Sequence, residues 1–450
     1  MGLFDRLRGD GNPRVAFFGI DGVPYSLVAD NPDEFDNLAA IADEGSAGAI
    51  DSIVPPESSA CWPSLTTGVN PGQTGVYGFQ DRETDSYDTY VPMGRDVQAT
   101  RIWDRVQSAQ RQATVMNVPV TFPPQENVQR MVSGFLSPGV DRAAEPAELR
   151  SFLEANDYKI DVNAKLGHDE DKSAFIEDAH ETLDARFEAF KHYVEEDDWD
   201  LFFGVFMTTD RVNHFLFRDY EHDGEYKEEF LEFYSKVDDY LGRLREMLPD
   251  DVTMLVASDH GFTTLEHEVH LNEWLRQEGW LSYEDDDHSE LDDISDETRA
   301  YSLIPGRFYL NLEGREPRGS VPEDDYEAVR AELKEKLEAL EGPDGTPVAA
   351  SVETKEGAFR GAHDAIAPDL TVVPNHGFDL KAGFKGSEEV FGTGPRNGMH
   401  SFDNACLFVD DPDVRIEDSD LYDIAPTILD LLELEYDRAE FDGGSLLTRS

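Results

Sequence analysis

Several short apolar runs in this chain lead directly into an acidic residue, and this pattern constrains the fold more than any other feature. Asp21 follows VAFFGI, Asp259 follows VTMLVAS, and Asp210 follows the apolar segment that ends in FMTT. Short apolar runs bounded by turn signals are typical of buried parallel strands. Because ligand sites in open parallel sheets lie beyond the carboxyl ends of the strands, we expect these three acids to share one edge of a sheet.

Strands and helices are predicted to alternate along the chain. The strand candidates are Val15–Ile20, Thr114–Val118, Asp200–Met207, Val252–Ala257, Arg307–Leu312, Asp369–Val373 and Ala405–Val409. The helix candidates, chosen by amphipathic periodicity, are Asp33–Ala42, Ser173–Val194, Glu225–Met247, Asp324–Leu340 and Leu421–Leu432. This alternation predicts an α/β fold with a mostly parallel central sheet.

The domain organisation follows from where this pattern is interrupted. Residues 1–13 are polar and predict a mobile N-terminal arm, and residues 14–450 predict one large catalytic domain. Segments 136–195 and 265–365 contain irregular or acidic stretches, EDDDHSELDDISDE among them, and we expect them to be inserted cap segments.

The net charge is extreme. Lys and Arg number 38 against 96 Asp and Glu, which leaves a formal charge of −58. Such a surface repels itself in dilute buffer, whereas molar salt reduces the screening length to about 3 Å and removes most of that repulsion. The acids are dispersed rather than confined to a tail, so we predict a halophilic protein of a salt-rich cytoplasm. An acidic mesophilic protein is the alternative.

The same charge excludes several partners. The chain offers no basic stripe to contact a nucleic-acid duplex or an anionic membrane.

No apolar run approaches the ~20 residues that span a bilayer, and MGLFDRLRGDG is too polar for a signal peptide. Cys61 and Cys406 do not make a disulfide framework. We therefore expect a cytoplasmic location and a small-molecule partner, while the sequence does not indicate an oligomeric state.

Histidines accompany the acids at the predicted sheet edge. Asp210 and His214 stand four apart, which on a helix places both on one face. Asp259 and His260 are adjacent, and a glycine follows them. Taken singly, such pairs are often salt bridges or helix caps, and His400 in RNGMHSFD alone would be a surface histidine. Three Asp and three His together suit two divalent cations, Zn²⁺ above all, with Mn²⁺ or Mg²⁺ as alternatives.

A hydroxyl-rich turn, PPESSACWPSLTTG from Pro55 to Gly68, supplies candidate nucleophiles. With the acids and imidazoles it resembles the alkaline phosphatase superfamily, most closely its type I phosphodiesterase/nucleotide pyrophosphatase branch. In that family the nucleophile stands ten residues before the glycine that corresponds to Gly68, which selects Ser58, with Ser59 as the fallback. Further matching stretches are NVPVTFPP, MVSGFLSPG and the closing DLYDIAPTILDLLELE.

The resemblance implies an alkaline-phosphatase-like three-layer sandwich and two metal sites. It assigns one metal to Asp21, Ser58, Asp259 and His260, and the other to Asp210, His214 and His400. Combined with the net charge, it suggests a haloarchaeal-like member of the family. The stretch around His400 matches loosely, so His363 and His376 stay open as alternative ligands. CWPS also resembles the opening of the sulfatase signature, although Leu65 stands where that signature has arginine.

The predicted activity is hydrolysis of a phosphoric ester through the Ser58 hydroxyl. No arginine adjoins the hydroxyl-rich turn, which favours a diester over a monoester, and Arg211 and Arg396 stand near predicted ligands. Asn117 and Trp62 are candidate substrate-binding residues. A phosphomonoesterase or phosphomutase is the alternative within the superfamily; a sulfatase and a non-catalytic metal-binding protein are further ones.

Overall fold

A computed structural model describes residues 12–386 and 389–448. Most of the predicted N-terminal arm, residues 1–11, therefore lies outside the described residues. The strands are β1 Arg14–Ile20, β2 Ser46–Ile50, β3 Asp81–Arg82, β4 Thr89–Tyr90, β5 Ala113–Val118, β6 Arg130–Ser133, β7 Ala144–Glu145, β8 Leu201–Phe206, β9 Val252–Ala257, β10 Gly261–Thr264, β11 His267–His270, β12 Ala300–Leu303, β13 Arg307–Leu310, β14 Ala349–Thr354, β15 Leu370–Pro374, β16 Phe378–Lys381, β17 Phe391–Gly392, β18 Gly398–Ser401 and β19 Ala405–Val409.

The α-helices vary from four to 24 residues in length. They are α1 Tyr25–Asp30, α2 Asp36–Glu44, α3 Ser58–Thr67, α4 Pro71–Thr74, α5 Ile102–Ser108, α6 Val140–Ala143, α7 Ala147–Ala155, α8 Ser173–Glu196, α9 Thr208–Glu221, α10 Lys227–Met247, α11 Leu271–Gln277, α12 Tyr326–Glu338, α13 Lys355–Ala358 and α14 Ile424–Leu431. None of the helices within the described residues has both the length and the apolar character needed to cross a membrane.

An eight-stranded sheet organises the fold, in the order β2-β19-β9-β1-β8-β5-β6-β7. The five strands from β9 to β6 run parallel to their neighbours, whereas β2, β19 and β7 pair antiparallel at the two sides. Strand β1 lies between β9 and β8, with Gly19 opposite Ala257 and Ile20 opposite Phe206. The prediction of an α/β fold with a mostly parallel central sheet is confirmed.

Alternate side chains of β1 enter two separate cores, which defines three layers. Ala16 and Phe18 pack with helices α2, α8 and α10 on one face of the sheet. Val15 and Phe17 pack with α3, α5 and α14 on the other face. A strand buried on both faces reads as a continuous apolar run, because successive side chains point to opposite sides.

Two predicted strands belong to a different sheet. Strands β13 and β15 fall in the predicted segments Arg307–Leu312 and Asp369–Val373, but they pair antiparallel within a four-stranded sheet of order β12-β13-β15-β14. These two predicted strands therefore lie outside the parallel part of the central sheet, and the predicted strand Ala405–Val409 also pairs antiparallel, although it belongs to that sheet. An apolar run indicates a buried strand, but it carries no information about the direction of the neighbouring strand.

The two predicted cap segments pack differently. Much of segment 265–365 contributes to a third core, in which α11 and α12 cover the four-stranded sheet. Segment 136–195 instead supplies β7 to the edge of the central sheet and places Phe187 and Phe190 of α8 in the core beside β1. The division of the chain into a catalytic domain with inserted cap segments remains a prediction.

Candidate metal centre

Three adjacent strands end at the same edge of the central sheet, and an acid follows each of them. Asp21 comes directly after β1, and Asp259 comes two residues after β9. Asp210 lies in the first turn of α9, which begins just beyond β8. Because β9, β1 and β8 are neighbours in the sheet, the three carboxylates meet.

The first group of side chains surrounds the hydroxyl of Ser58. Ser58 Oγ lies 3.3 Å from Asp21 Oδ1 and 3.1 Å from His260 Nε2. His260 Nε2 is 3.5 Å from Asp259 Oδ2 and 3.7 Å from Asp21 Oδ1. These four residues thus direct two carboxylates, one imidazole nitrogen and one hydroxyl toward a common space.

The second group adjoins the first. Asp210 Oδ1 lies 3.2 Å from His400 Nε2 and 3.4 Å from His214 Nε2, and the two imidazole nitrogens are 3.1 Å apart. The rings of His260 and His400 stack with centroids 3.9 Å apart. His260 therefore stands between the groups, and its ligand atom lies within 4.8 Å of those of both Asp210 and His400.

All three histidines present the same nitrogen to this space. The Nδ1 atoms lie within hydrogen-bond distance of backbone carbonyls: His260 of Gly261 at 3.0 Å, His214 of Gly398 at 3.1 Å and His400 of Pro56 at 3.2 Å. An Nδ1–H that donates to a carbonyl leaves the Nε2 lone pair free to bind a cation. This is the usual way in which a protein orients metal-binding imidazoles.

Burial makes the cluster unfavourable unless cations neutralise it. Burial, with the charges of Asp259 and Asp210, raises the pKa of Asp21 well above its usual value. Burial, and then the charge of Asp210, raises the pKa of Asp259 to about 7. Asp210 Oδ1 and Asp259 Oδ2 are buried and accept no hydrogen bond from the residues that the structure describes. Buried charges are normally paired or bound to metals, so this donor set fits divalent cations.

A two-stranded antiparallel sheet brings His400 to the site from late in the chain. Strand β18 pairs antiparallel with β10, which places His400 opposite Phe262, two residues beyond His260. The alternative ligand His376 instead pairs at the surface with Asp403, Nε2 to Oδ1 at 2.8 Å. His363 lies beside Gly75 and Gln98, in a separate depression.

The hydroxyl-rich segment, predicted as a turn, forms helix α3, and Ser58 is its first residue. Gly68 ends the helix in a left-handed conformation, with φ 71°. Ser59 is buried, and its Oγ makes no hydrogen bond within the described residues. Cys61 is also buried, with Sγ 3.4 Å from Ser52 Oγ. Of these three side chains, Ser58 is the one that reaches the metal-binding groups.

The two candidate substrate-binding residues lie behind the site and do not line its cleft. Trp62 is fully buried, and its Nε1 donates a hydrogen bond of 2.6 Å to Asp21 Oδ2. Asn117 is fully buried as well, and its side chain contacts Tyr158 and Arg186. Neither ring nor amide is accessible to a ligand, so the geometry does not support the expectation of substrate contact.

A cleft of about 340 Å³ opens over the two groups. Its polar lining includes Ser58, Asp210, His214 and His400, and Phe79 also lines it. Further lining residues that sequence reasoning did not single out for the site are Glu57, Phe135, Ala164, Met207, Ile304, Pro305, Asp379, Leu380, Lys381 and Met399. These come from distant parts of the chain, including the edge strand β16. No local pattern marks them, and only the fold brings them to the cleft.

Arg211 and Arg396, which stand near the ligands in sequence, both line the cleft. The Arg211 guanidinium donates to Asp210 Oδ2 at 3.0 Å and to Asp161 Oδ2 at 2.9 and 3.0 Å. It also lies over the ring of Phe135, 4.5 Å from the centroid. Arg211 therefore holds Asp210 from the side opposite the histidines.

A three-layer α/β/α fold with carboxylates and imidazoles at the ends of its parallel strands is an architecture of metal-dependent hydrolases. The family model for type I phosphodiesterase/nucleotide pyrophosphatase matches residues 15–403, and the chain belongs to that family. The protein is accordingly a phosphoester hydrolase. Comparison with curated protein sequences finds no significant match.

Solved structures share this fold at low sequence identity. A phosphonoacetate hydrolase from Sinorhizobium meliloti 1021, in complex with phosphonoacetate, has a TM-score of 0.63 and 16% identity over 94% of this chain and 96% of that one. Murine ectonucleotide pyrophosphatase/phosphodiesterase 5, in complex with AMP, has a TM-score of 0.54 and 15% identity over 94% and 96%. The wild-type alkaline phosphatase PafA has a TM-score of 0.58 and 13% identity over 98% and 99%. The alkaline-phosphatase-like fold expected from the motifs is confirmed.

Proposed function

We propose that this protein is a phosphodiesterase or nucleotide pyrophosphatase that uses Ser58 as its nucleophile and two divalent cations. The observation that supports this most directly is the convergence of three carboxylates and three Nε2 atoms in two adjoining groups, one of which surrounds the Ser58 hydroxyl. The carboxylate and imidazole donors suit Zn²⁺, with Mn²⁺ or Mg²⁺ as alternatives.

The proposed ligands divide into two sets. Asp21, Ser58, Asp259 and His260 would hold one cation, and the other set consists of Asp210, His214 and His400. Bound there, a cation would supply the charge that lowers the pKa of the Ser58 hydroxyl, and Ser58 could then react as the alkoxide without a general base. The surrounding chain holds the ligands rigid, since the Gly22 amide donates to Asp259 Oδ1 at 3.2 Å and Trp62 donates to Asp21.

The reaction would proceed by two displacements. Ser58 Oγ attacks the phosphorus, the bond from phosphorus to the ester oxygen breaks, and the alcohol or nucleotide leaves with that oxygen. Water then attacks the phosphoseryl ester, the Oγ–P bond breaks, and Ser58 is regenerated as a phosphate monoester is released. The position of Ser58 at the start of α3, facing the cleft, suits this in-line attack.

The alternatives differ in their support. A phosphomonoesterase or phosphomutase would use the same nucleophile and metals. A sulfatase would need Cys61 in the cleft, but that thiol is fully buried against Ser52 and Pro55. A non-catalytic metal-binding protein would not need a hydroxyl between the ligands.

We also propose, from the charge alone, that the protein works at high salt in the cytoplasm.

Hydrolysis of three chromogenic esters tests the proposal. The substrates are bis-p-nitrophenyl phosphate, p-nitrophenyl phosphate and p-nitrophenyl sulfate, assayed in molar KCl with added Zn²⁺ or Mn²⁺. We expect the diester to be cleaved with the highest kcat/KM. Preference for the monoester would favour the phosphomonoesterase. If folded, metal-loaded protein hydrolyses none of the three esters, a non-catalytic role is favoured.

A further inference from the structure

A carboxylate with no part in the proposed chemistry lies beside the nucleophile. Glu57 immediately precedes Ser58, occupies the N-cap position of α3 and lines the same cleft as Asp210 and His400. Its Oε2 atom is buried and accepts no hydrogen bond from the part of the chain that the structure describes. A buried carboxylate oxygen without a hydrogen bond lowers the stability of the folded protein. We therefore expect Glu57 to have a function at this position.

Protein carboxylates already engage two of the cations in this cleft. Arg211 is held by Asp161 and Asp210. Lys381 forms ion pairs with Asp379 and, at 3.7 Å, with Glu268. Arg396 lines the same cleft, as does His214. Glu57 therefore brings a carboxylate to this cleft from the α3 side, directly beside Ser58. The charge of Arg307 also reaches Glu57, but Arg307 is itself paired with Asp81.

We propose that Glu57 is a specificity-determining residue that disfavours phosphomonoesters and thereby selects diesters. This inference rests on the proposed function and goes beyond it, because it names the group that discriminates. A diester carries one negative charge, whereas a monoester carries nearly two above its second pKa of about 6. In a partly desolvated cleft, a carboxylate repels this additional negative charge more strongly than it would in bulk water, because the effective dielectric constant is lower.

The test compares Glu57→Gln, which removes the charge with little change in shape, with Glu57→Asp, which keeps the charge. The measured quantity is kcat/KM for bis-p-nitrophenyl phosphate divided by kcat/KM for p-nitrophenyl phosphate at pH 8. We expect Glu57→Gln to lower this ratio by about tenfold or more, chiefly through faster monoester cleavage, and Glu57→Asp to stay near the wild-type ratio.

A second readout does not depend on turnover. Calorimetric titration of the metal-loaded protein with inorganic phosphate, a dianion at pH 8, should give a Kd about tenfold lower for Glu57→Gln than for the wild type. Melting temperature and metal content are measured for every variant, and Glu57→Ala replaces Glu57→Gln if the latter does not fold.

The outcomes separate the inference from the function. If the wild type cleaves diesters and the ratio is unchanged in Glu57→Gln, Glu57 does not discriminate, although the proposed function stands. If both substrates lose activity equally and the protein is less stable, Glu57 merely balances the nearby Arg307, and the inference is overturned. If the wild type cleaves neither ester, the proposed function fails, and the phosphate titration alone decides whether Glu57 repels dianions.

Discussion

Trp62 and Ser58, one turn apart on helix α3, contact the two different oxygens of Asp21. The indole Nε1 donates to Oδ2 at 2.6 Å, and Ser58 Oγ lies 3.3 Å from Oδ1. One helix thus orients the acid at the end of β1 and presents the proposed nucleophile to it. The indole itself is fixed edge-on against Phe17 and Phe203, with centroids 6.5 and 6.4 Å away.

Replacing Trp62 with phenylalanine should weaken metal binding while leaving the fold intact. The smaller ring fills most of the space between Phe17 and Phe203 but cannot donate to Asp21. Loss of a hydrogen bond to a metal ligand typically lowers metal affinity 10- to 100-fold. We therefore expect the affinity for the cation at Asp21 to fall by about that factor, and the affinity for the other cation to stay the same. Competition with a chromophoric chelator measures it, and an unchanged affinity would show that the indole only packs.

The Ser58→Ala variant should fold normally and keep both cations, since Asp21, Asp259 and His260 remain as ligands of the first one. It should lose at least about 10³-fold in kcat, because the bond to phosphorus can no longer form. Ser59→Ala is the matched control, since Ser59 is the next residue on α3 and its hydroxyl is buried without a hydrogen-bond partner among the described residues. Steady-state diester hydrolysis distinguishes them. If Ser58→Ala keeps its turnover and Ser59→Ala loses it, Ser59 is the nucleophile and the assignment of Ser58 is wrong.

The choice of histidine ligand can be tested with a matched pair of variants. His400→Ala should reduce bound metal from two ions to about one per chain, because it removes a donor 3.2 Å from Asp210 Oδ1. His376→Ala should leave both ions bound, since that ring pairs with Asp403 at the surface. Elemental analysis after gel filtration gives the count. Loss of metal in His376→Ala alone would contradict the assignment.

Removal of the cations should destabilise the folded protein as well as stop turnover. Asp21 and Asp259 are fully buried, and burial raises the pKa of both carboxyl groups, so their charged forms are unfavourable without cations. A cation present at 100 times its Kd contributes about 2.7 kcal/mol, so chelation should lower the melting temperature by several degrees. Calorimetry with and without a chelator checks this. An unchanged melting temperature would mean that the cluster does not hold metal tightly.

Stability should rise with salt. At a net charge of −58 the folded chain repels itself, and about 1 M salt shortens the screening length from about 10 Å to about 3 Å. We expect a higher melting temperature in 2 M than in 0.1 M KCl. Sucrose at matched osmolality controls for general exclusion effects. Equal stability at both salt concentrations would remove the basis for predicting a halophile.

The sequence predicted those metal-binding side chains that lie within strong local patterns. Asp21 and Asp259 were found because each ends a strand buried on both faces, and Asp210 and His214 because their spacing matches a helical turn. The resemblance then selected Ser58 within the hydroxyl-rich segment and assigned His400 to the second cation. Trp62 is a candidate substrate-binding residue by sequence, but in the structure it is fully buried on α3 and donates a hydrogen bond to Asp21.

The sequence by itself determined the class of fold and the chemistry available, because apolar periodicity and residue type are local properties of the chain. The tertiary structure decided which residues meet. Strands β13 and β15 pair antiparallel, and Glu57, Phe135 and Lys381 share a cleft with Ser58. Such contacts join positions tens to hundreds of residues apart through strand pairing and helix packing, and no local pattern encodes those distances.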